Sequence, residues 1–500
     1  MKSILRFTTL AVFAVTVTGV LQAQTLTFGR RTYRGAATYT HIDLNGDGRE
    51  DLVYPTVGAS GPSGFTVVLS NGDGTYAAPV FYASPNSLAQ NIVLLDINND
   101  GFPDLFTWNG GNSLYEYLNN KSGAFHLQAT YQLSSLLSVA VGDFNHDGYL
   151  DIAYLAVASS PKGQIHVLFN NHASGFSVGP VTYVPTTGQI AVGDFDGDGK
   201  ADIFIQGSGS GNPSTICYGN NAGNFSAQTN ASTAHSPFLF PMDIDGDGKT
   251  DLVGAGLGSN PSTHQNLYFK DLFVIYGTAN RTVTETAIPL NGYPVPTVTG
   301  SGFNEPSADQ ADFNGDGKAD LVTVEALQAD GGGNTRRLVV LTGKGSRVFN
   351  PEETIYTDNT GGLDFNVQAI HANSDNKADI LADVFANNSP TALFFLNDTA
   401  GWFGGCSLPG SATGIHLCSP TTYTSTTAAF SLSAAGVPLM HRMELWIDGV
   451  KKYQQFARDY SHSAFLDTTL TLAAGTHKVS VYAAGQDNSL QNKAYTITVK

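Results

Sequence analysis

Residues 194–202 read Asp-Phe-Asp-Gly-Asp-Gly-Lys-Ala-Asp, with carboxylates at positions one, three, five and nine of the nonapeptide. Side-chain oxygens at this spacing converge on one point as the backbone curls, and the backbone carbonyl of position seven adds another ligand. The glycine at position six permits the sharp turn, through a positive φ. Because four carboxylates this close repel one another, the stretch predicts a site for a hard cation such as Ca²⁺.

The same nonapeptide recurs along the chain, and we number the copies loop 1 to loop 7. Loops 1 to 6 span residues 43–51, 96–104, 143–151, 194–202, 243–251 and 312–320, and a weaker loop 7 spans 371–379, with His371 at position one and Asn376 in place of the glycine. The predicted metal ligands, with position seven contributing its carbonyl, are Asp43, Asn45, Asp47, Arg49, Asp51, Asp96, Asn98, Asp100, Phe102, Asp104, Asp143, Asn145, Asp147, Tyr149, Asp151, Asp194, Asp196, Asp198, Lys200, Asp202, Asp243, Asp245, Asp247, Lys249, Asp251, Asp312, Asn314, Asp316, Lys318, Asp320, and in loop 7 Asn373, Asp375 and Asp379.

Repetition at intervals near 50 residues indicates a repeat architecture, because each copy is one supersecondary unit. Each unit shows an apolar strand entering the loop, a strand leaving it, a third strand ending in an Asn- and Gly-containing turn, and a fourth strand with an aromatic residue. Short alternating strands separated by Asn, Gly and Asp turns are typical of β-hairpins. Four strands in each of seven units predict an all-β, seven-bladed β-propeller over residues 24–404. An open β-solenoid is the alternative.

The two ends of the repeat region are offset. Residues 26–33 resemble a fourth strand, whereas the last unit stops resembling the others after Phe403. We therefore expect the N-terminal strand to complete the last unit, which would remove an exposed sheet edge. The long intervals after loops 5 and 6 predict insertions, and residues 256–268 and 286–310 are rich in residues typical of loops.

The formal net charge is −17, and about half of the 42 acidic residues occupy the loop positions. The acidity is thus explained by the metal loops. It argues against nucleic acid as a partner, because phosphate binding needs clustered Lys and Arg.

Residues 1–23 resemble a secretory signal peptide, with Lys2 and Arg6 before an apolar run and small residues near Ala23. An uncleaved anchor is the alternative, although the run is short for a membrane span. The sequence therefore predicts a secreted or cell-surface protein without a transmembrane span in the mature chain. Cys406 and Cys418 are candidates for a disulfide, which suits an oxidising compartment, and Cys217 would remain free.

Beyond the last repeat the metal pattern disappears. Residues 405–420 contain both late cysteines and several Gly and Pro residues, and we interpret them as a linker. Residues 421–500 contain strand-like runs, with Asp448-Gly449 as a two-residue hairpin turn. Seven or so short strands in about 80 residues predict an immunoglobulin-like β-sandwich.

The units resemble FG-GAP/VCBS repeats, which also build the head propeller of integrin α subunits. The resemblance rests on the pattern Asp-φ-(Asn/Asp)-x-Asp-Gly-x-x-Asp-φ, where φ is apolar, as in residues 312–321. The tail, especially residues 442–452 and 472–477, resembles Ig-like modules of secreted bacterial proteins. The resemblance implies an extracellular scaffold that holds about six structural Ca²⁺ ions and binds a glycan or protein ligand.

Three functions stay open at this point. The first is a non-enzymatic binding or adhesion module, and the second is a hydrolase or lyase for carbohydrates built on a propeller. The third is a structural component of a surface assembly. An EF-hand is excluded, because it needs flanking helices and Glu at position twelve. His41, His146 and His371 are interpreted as surface or supporting residues of the loops. Trp108, Tyr115 and Tyr117 are either core residues or sugar-stacking platforms.

Overall fold

A computed structural model describes residues 26–500 except 27, 35–39, 57–62, 73, 86–90, 109–110, 159–161, 173–174, 208–212, 232–238, 260–265, 295–307, 315–317, 328–334, 346, 361, 373–376, 387–388, 398–413 and 486–489. The predicted signal peptide therefore lies outside the described residues. The described part of the chain contains β-strands and no helix, so the all-β prediction is confirmed. Accordingly, these residues contain no helix with the length and apolar character needed to cross a bilayer.

Among the described residues of the repeat region, strand β1 (Phe28–Arg34) precedes seven antiparallel sheets, numbered here in chain order. The first sheet contains β2 (Thr40–Ile42), β3 (Asp51–Thr56), β4 (Gly64–Val68) and β5 (Val80–Ala83). The second contains β6 (Asn91–Leu95), β7 (Asp104–Trp108), β8 (Ser113–Asn119) and β9 (Phe125–Gln132). The third contains β10 (Leu136–Gly142), β11 (Asp151–Val157), β12 (Gly163–Asn170) and β13 (Phe176–Val184). The fourth contains β14 (Gln189–Gly193), β15 (Asp202–Gln206), β16 (Thr215–Gly219) and β17 (Phe225–Asn230).

The fifth sheet contains β18 (Phe240–Met242), β19 (Asp251–Ser259), β20 (Asn266–Ile275) and β21 (Glu285–Pro289). The sixth contains β22 (Tyr293–Pro294), β23 (Ala308–Ala311), β24 (Asp320–Ala326), β25 (Arg336–Leu341) and β28 (Glu353–Asp358), beside a small hairpin of β26 (Gly343–Gly345) and β27 (Val348–Phe349). The seventh contains β29 (Leu363–Ile370), β30 (Asp379–Ala386) and β31 (Ser389–Asn397), with β1 as its fourth strand.

The predicted pairing of the N-terminal strand with the last unit is confirmed. Strand β1 runs antiparallel to β31, from Phe28 opposite Asn397 to Arg34 opposite Thr391. The ends of the repeat region thus meet in one sheet, and β31 presents no free edge along this register.

Each sheet shares an apolar core with the next sheet. Strand β11 is buried along almost its whole length, because neighbouring sheets cover both of its faces. Phe106 of the second sheet and Ile152 of the third belong to one such core. Leu52 of the first sheet and Phe394 of the seventh belong to another, so the last sheet also packs against the first. The result is a propeller-like arrangement of seven sheets.

The predicted loops in the insertions are wrong in part. Residues 256–259 end β19 and residues 266–268 begin β20, and the two strands pair as far as Ser259 opposite Asn266. The Gly- and Ser-rich sequence extends a hairpin here because the backbone ladder of its partner continues. Within 286–310, residues 295–307 lie outside the described part of the chain.

The C-terminal region has its own core and a different topology. It contains β32 (Gly414–Leu417), β33 (Thr422–Tyr423), β34 (Thr427–Ile447), β35 (Val450–Thr471), β36 (Gly475–Gly485) and β37 (Leu490–Val499). Both halves of β34 contribute to one core, for example through Phe430 and Leu445. The prediction of seven or so short strands is therefore wrong, since β34 and β35 each continue where two short strands were expected.

The predicted linker is also too long. Residues 414–417 form β32, which pairs with β34 from Gly414 opposite Ala435 to Leu417 opposite Leu432. Cys418, just after this strand, is disulfide-bonded, and Cys217 is free and buried. Cys406, the partner predicted for Cys418, lies outside the described residues.

Candidate metal centres

The acidic loops occupy the same place in every sheet. Each loop connects the strand that enters it to the buried strand that leaves it, as loop 4 connects β14 to β15. Position nine is the first residue of that second strand in all seven sheets. Because strand order is repeated from sheet to sheet, the loops lie at corresponding edges of successive sheets.

The position-one carboxylate organises each described loop by accepting backbone N–H groups. In loop 4, Asp194 accepts the N–H groups of Gly197, Asp198 and Gly199 at 2.8 to 3.1 Å. The position-six glycines of loops 1 to 5 have φ between 81° and 91°, which confirms the predicted left-handed turn. Position four is also left-handed, which is the role of His146 (φ 62°) in loop 3.

The position-nine carboxylate is a buried anchor in all seven loops. One oxygen accepts the N–H of position two, and the other accepts an N–H at the end of the third strand or just after it, at 2.7 to 3.2 Å. The position-nine residues are Asp51, Asp104, Asp151, Asp202, Asp251, Asp320 and Asp379. Loop 7 therefore keeps this anchor although its first position is His371.

Burial has the largest effect on the pKa values of these position-nine carboxylates. It raises the pKa of Asp51, Asp151 and Asp202 to about 7, and that of Asp104 and Asp251 to about 8. Two backbone hydrogen bonds lower each pKa, whereas the other carboxylates of the loop raise it. The anchors therefore ionise most readily when positive charge enters the loop.

Carboxylate oxygens converge most clearly in loops 4 and 5. Ligand atoms of Asp194, Asp196 and Asp202 all lie within 4.8 Å of one another, as do those of Asp243, Asp245 and Asp247. Two oxygens bound to one Ca²⁺ are at most about 5 Å apart, so these sets could hold the ion. The predicted ligands Asp316, Asn373 and Asp375 lie outside the described residues, and Asp312 and Asn314 are within them.

Side chains at or near position seven supply positive charge to position five. Arg49 Nη2 lies 2.6 Å from Asp47 Oδ2. Lys200 and Lys249 contact Asp198 and Asp247 in the same way. In loops 2 and 3 position seven is aromatic, and the partner of position five comes from the turn after the third strand of the same sheet. In loop 2, Lys121 contacts Asp100. In loop 3, His172 contacts Asp147 and stacks on Tyr149.

Three asparagines that the sequence analysis missed connect neighbouring sheets. Asn170 Nδ2 donates to the carbonyl of Ile97 in loop 2 at 2.8 Å and to that of Leu150 in its own loop at 3.2 Å. Asn119 makes the equivalent pair of bonds to loops 1 and 2. Asn397 makes it to loops 6 and 7. Each is the last residue of a third strand and is followed by another Asn or Asp, which is the signal that could have identified them.

The position-two carbonyl is the common acceptor of these inter-sheet bonds. In loops 3 and 4 it accepts a backbone N–H from the next sheet, and in loop 7 it accepts Ser70 Oγ of the first sheet at 3.3 Å. Each of these loops therefore touches the turn of the following sheet, and the seventh sheet is followed by the first.

Replacing Asn170 with Ala is expected to cost about 2 to 3 kcal/mol of unfolding free energy. The change removes two buried hydrogen bonds and leaves the carbonyls of Ile97 and Leu150 without this donor. Asn171→Ala, at the exposed next position, is the matched control. Urea unfolding of the two variants measures the difference, and equal losses would contradict an inter-sheet role for Asn170.

His41, Glu50 and His371 meet between the first and seventh sheets. Glu50 Oε2 accepts the backbone N–H of His371 at 2.7 Å and lies 3.1 Å from His41 Nδ1. Burial opposes the ionisation of Glu50, but the histidine charges and hydrogen bonds outweigh it and lower its pKa to about 2. This agrees with the interpretation of both histidines as supporting residues of the loops.

A second buried charge cluster lies at the opposite end of β24 from loop 6. Arg337 pairs with Glu325 and with Glu352, while the remaining oxygens of these carboxylates accept the backbone N–H groups of Gly292 and Asn291. Burial raises the pKa of Glu325 to about 7. With both carboxylates hydrogen-bonded to backbone, the cluster anchors the connection between the fifth and sixth sheets.

The aromatic residues considered as sugar platforms are in the core. Trp108, Tyr115 and Tyr117 are each no more than 5% exposed. Phe65 packs edge-on against Tyr117, between the first and second sheets. The core interpretation of these three residues is therefore confirmed.

Comparison with known protein families supports the repeat organisation of the chain. The family model described as FG-GAP-like repeat matches residues 43–107, 96–154 and 194–254, so the chain carries FG-GAP-like repeats in three places. No curated protein matches the chain.

Two solved structures show distant similarity. Fibronectin(III)-like modules of Clostridium thermocellum CbhA are 18% identical, over 17% of this chain and 96% of theirs, with a TM-score of 0.15. The Photorhabdus luminescens Tc holotoxin pore is 13% identical, over 91% of this chain and 21% of that chain, with a TM-score of 0.36. At these TM-scores neither similarity indicates a function.

Proposed function

We propose that the chain is a secreted or cell-surface binding and adhesion module, built as a closed seven-bladed β-propeller with an Ig-like tail. The seven sheets are its blades, and β1 closes the ring in the last blade. The shared core of Leu52 and Phe394 and the bond from Ser70 to loop 7 support closure, because they join the first and last sheets. Both halves of β34 contribute side chains to one core, which supports a sandwich for the tail.

In this proposal the six intact loops each hold a structural Ca²⁺. The residues fit the ion, since three carboxylates of loop 4 lie within the spacing that one Ca²⁺ would bridge. The ion would supply positive charge that the clustered carboxylates otherwise lack. The protein's own residues fix the loop: position one curls the backbone and position nine ties it to the sheet.

The observation that carries the proposal is the structural use of the loop carboxylates. Asp194 holds three backbone N–H groups and Asp202 holds two. Carboxylates that accept several backbone N–H groups fix the shape of the loop at the edge of a sheet and make it rigid. A rigid scaffold of repeated blades that presents variable loops is suited to binding glycan or protein ligands.

Screening the full chain against glycan and extracellular-matrix protein arrays, with calcium and with EGTA, tests this function. We expect a calcium-dependent ligand. Absence of binding in calcium, from protein shown by circular dichroism to be folded, would contradict the binding function and favour a structural role in a surface assembly. Any glycan that binds would then be assayed for cleavage, since turnover would establish the alternative of a carbohydrate hydrolase or lyase.

A further inference from the structure

Two arginines each reach from one sheet into the acidic loop of the preceding sheet. Arg281 lies in the turn between β20 and β21 of the fifth sheet, and its Nε is 2.8 Å from Asp196 Oδ2 in loop 4. Arg347 lies between β26 and β27, in the turn of the small hairpin of the sixth sheet, and its Nε is 2.6 Å from Asp245 Oδ2 in loop 5. We call Arg281 and Arg347 the bridging arginines.

The two bridging arginines are held in the same way. The Arg281 guanidinium stacks 4.2 Å from the ring centre of Tyr218, and the Arg347 guanidinium 4.0 Å from that of Tyr276. Both backbones are left-handed, with φ of 58° and 66°. A left-handed conformation is unfavourable for a residue with a Cβ, so compensating contacts must hold it.

The bridging arginines contact the position-three carboxylates, which only loops 4 and 5 possess. Position three is Asp only in loops 4 and 5 and is Asn in loops 1, 2, 3 and 6. Asp196 and Asp245 are about 95% buried, so their charges are poorly solvated. A buried carboxylate of this kind needs a partner.

The extra oxygen at position three is the atom that the arginine binds. In loop 4, Asp196 Oδ1 accepts the N–H of Asp198, as Asn45 Oδ1 accepts the N–H of Asp47 in loop 1. The second atom is an uncharged Nδ2 in Asn45, but in Asp196 it is Oδ2, which faces Arg281. The arginine therefore cancels the charge by which loop 4 exceeds loop 1.

We propose that Arg281 and Arg347 are built-in counter-cations of loops 4 and 5. Each one neutralises the extra negative charge at position three through Oδ2 and leaves Oδ1 to act as the Asn Oδ1 does in loop 1, so the loop binds its metal ion about as tightly as the three-carboxylate loops do. Each one also ties two sheets together without any metal, so the junctions of the fourth, fifth and sixth sheets persist in chelator. The first role rests on the proposed calcium binding, whereas the second does not.

Thermal unfolding of Arg281→Gln in EGTA tests the inter-sheet role, with Lys200→Gln as the matched control. Lys200 is a cation in the same loop, but its partner Asp198 lies in that loop too. We expect Arg281→Gln to lower the melting temperature in EGTA by several degrees, and Lys200→Gln to leave it nearly unchanged. Equal melting of the two variants would overturn the inter-sheet role.

Calcium titration of the same protein tests the charge role. Without Arg281, loop 4 exposes four carboxylates to the ion, and one uncompensated charge a few ångströms away should tighten Ca²⁺ binding at that loop by about tenfold. The calcium-induced rise in melting temperature should therefore be larger in Arg281→Gln than in the wild type. The double variant Arg281→Gln/Asp196→Asn, which has three carboxylates, should return the rise to its wild-type size. An unchanged rise in the single variant would overturn the charge role.

Arg347→Gln provides an independent copy of both tests if Arg281→Gln does not fold. A wild-type protein whose melting does not respond to calcium would contradict the proposed calcium binding. It would leave the comparison in EGTA intact, so the two failures can be distinguished.

Discussion

Removing calcium with EGTA is expected to lower the melting temperature of the full chain by about 10 °C. If calcium is present at ten times its dissociation constant, each occupied site contributes about 1.4 kcal/mol, and six sites contribute about 8 kcal/mol. For a repeat region of this size, a change of about 0.8 kcal/mol in the free energy of unfolding shifts the melting temperature by one degree. The effect is large because each loop is bonded to the next sheet, as Asn170 bonds to loop 2.

Differential scanning calorimetry at matched ionic strength measures this shift. Adding back excess calcium should restore the original melting temperature, and adding magnesium should restore less, because Mg²⁺ demands a tighter octahedral geometry. An unchanged melting temperature in EGTA would contradict the assignment of the loops as structural calcium sites.

Replacing Asp202 with Ala is expected to destabilise the chain by about 2 to 5 kcal/mol even in EGTA. Asp202 is 1% exposed and accepts the backbone N–H groups of Phe195 and Gly219. Removing it leaves two buried donors without their acceptor, and each such group costs about 1 to 3 kcal/mol. Urea unfolding in EGTA isolates this structural cost from any loss of metal.

Asp198→Ala is the control for this variant, because Asp198 is in the same loop but about 30% exposed. It should cost less than 1 kcal/mol in EGTA. Asp379→Ala repeats the test in loop 7, where the first metal position is His371 and the anchor remains. If the exposed and buried aspartates proved equally important in EGTA, the anchor role would be wrong.

The sequence predicted the features that repeat. A glycine at position six needs its left-handed φ wherever the loop occurs, so one good copy such as loop 4 predicted the turn in the others. The pairing of β1 with β31 followed from the offset between the chain ends. The four strands of the described repeat sheets other than the sixth, which has five, followed from apolar alternation between turns, which depends on local sequence.

The features that the sequence missed depend on contacts between distant residues. Asn170 connects two loops because the third sheet packs beside the second, and nothing near Asn170 indicates Ile97. Arg281 is 85 residues from Asp196. Strand β32 was assigned to a linker because a four-residue strand is defined by its partner β34 and not by its own composition.

Native mass spectrometry of the purified full chain counts the bound Ca²⁺ ions, and calorimetric titration gives their affinity; together they test whether the loops are calcium sites. We expect about six ions per chain, five in Asp194→Ala, and none after exchange into EGTA. A folded chain that binds no calcium at millimolar concentration would contradict this expectation.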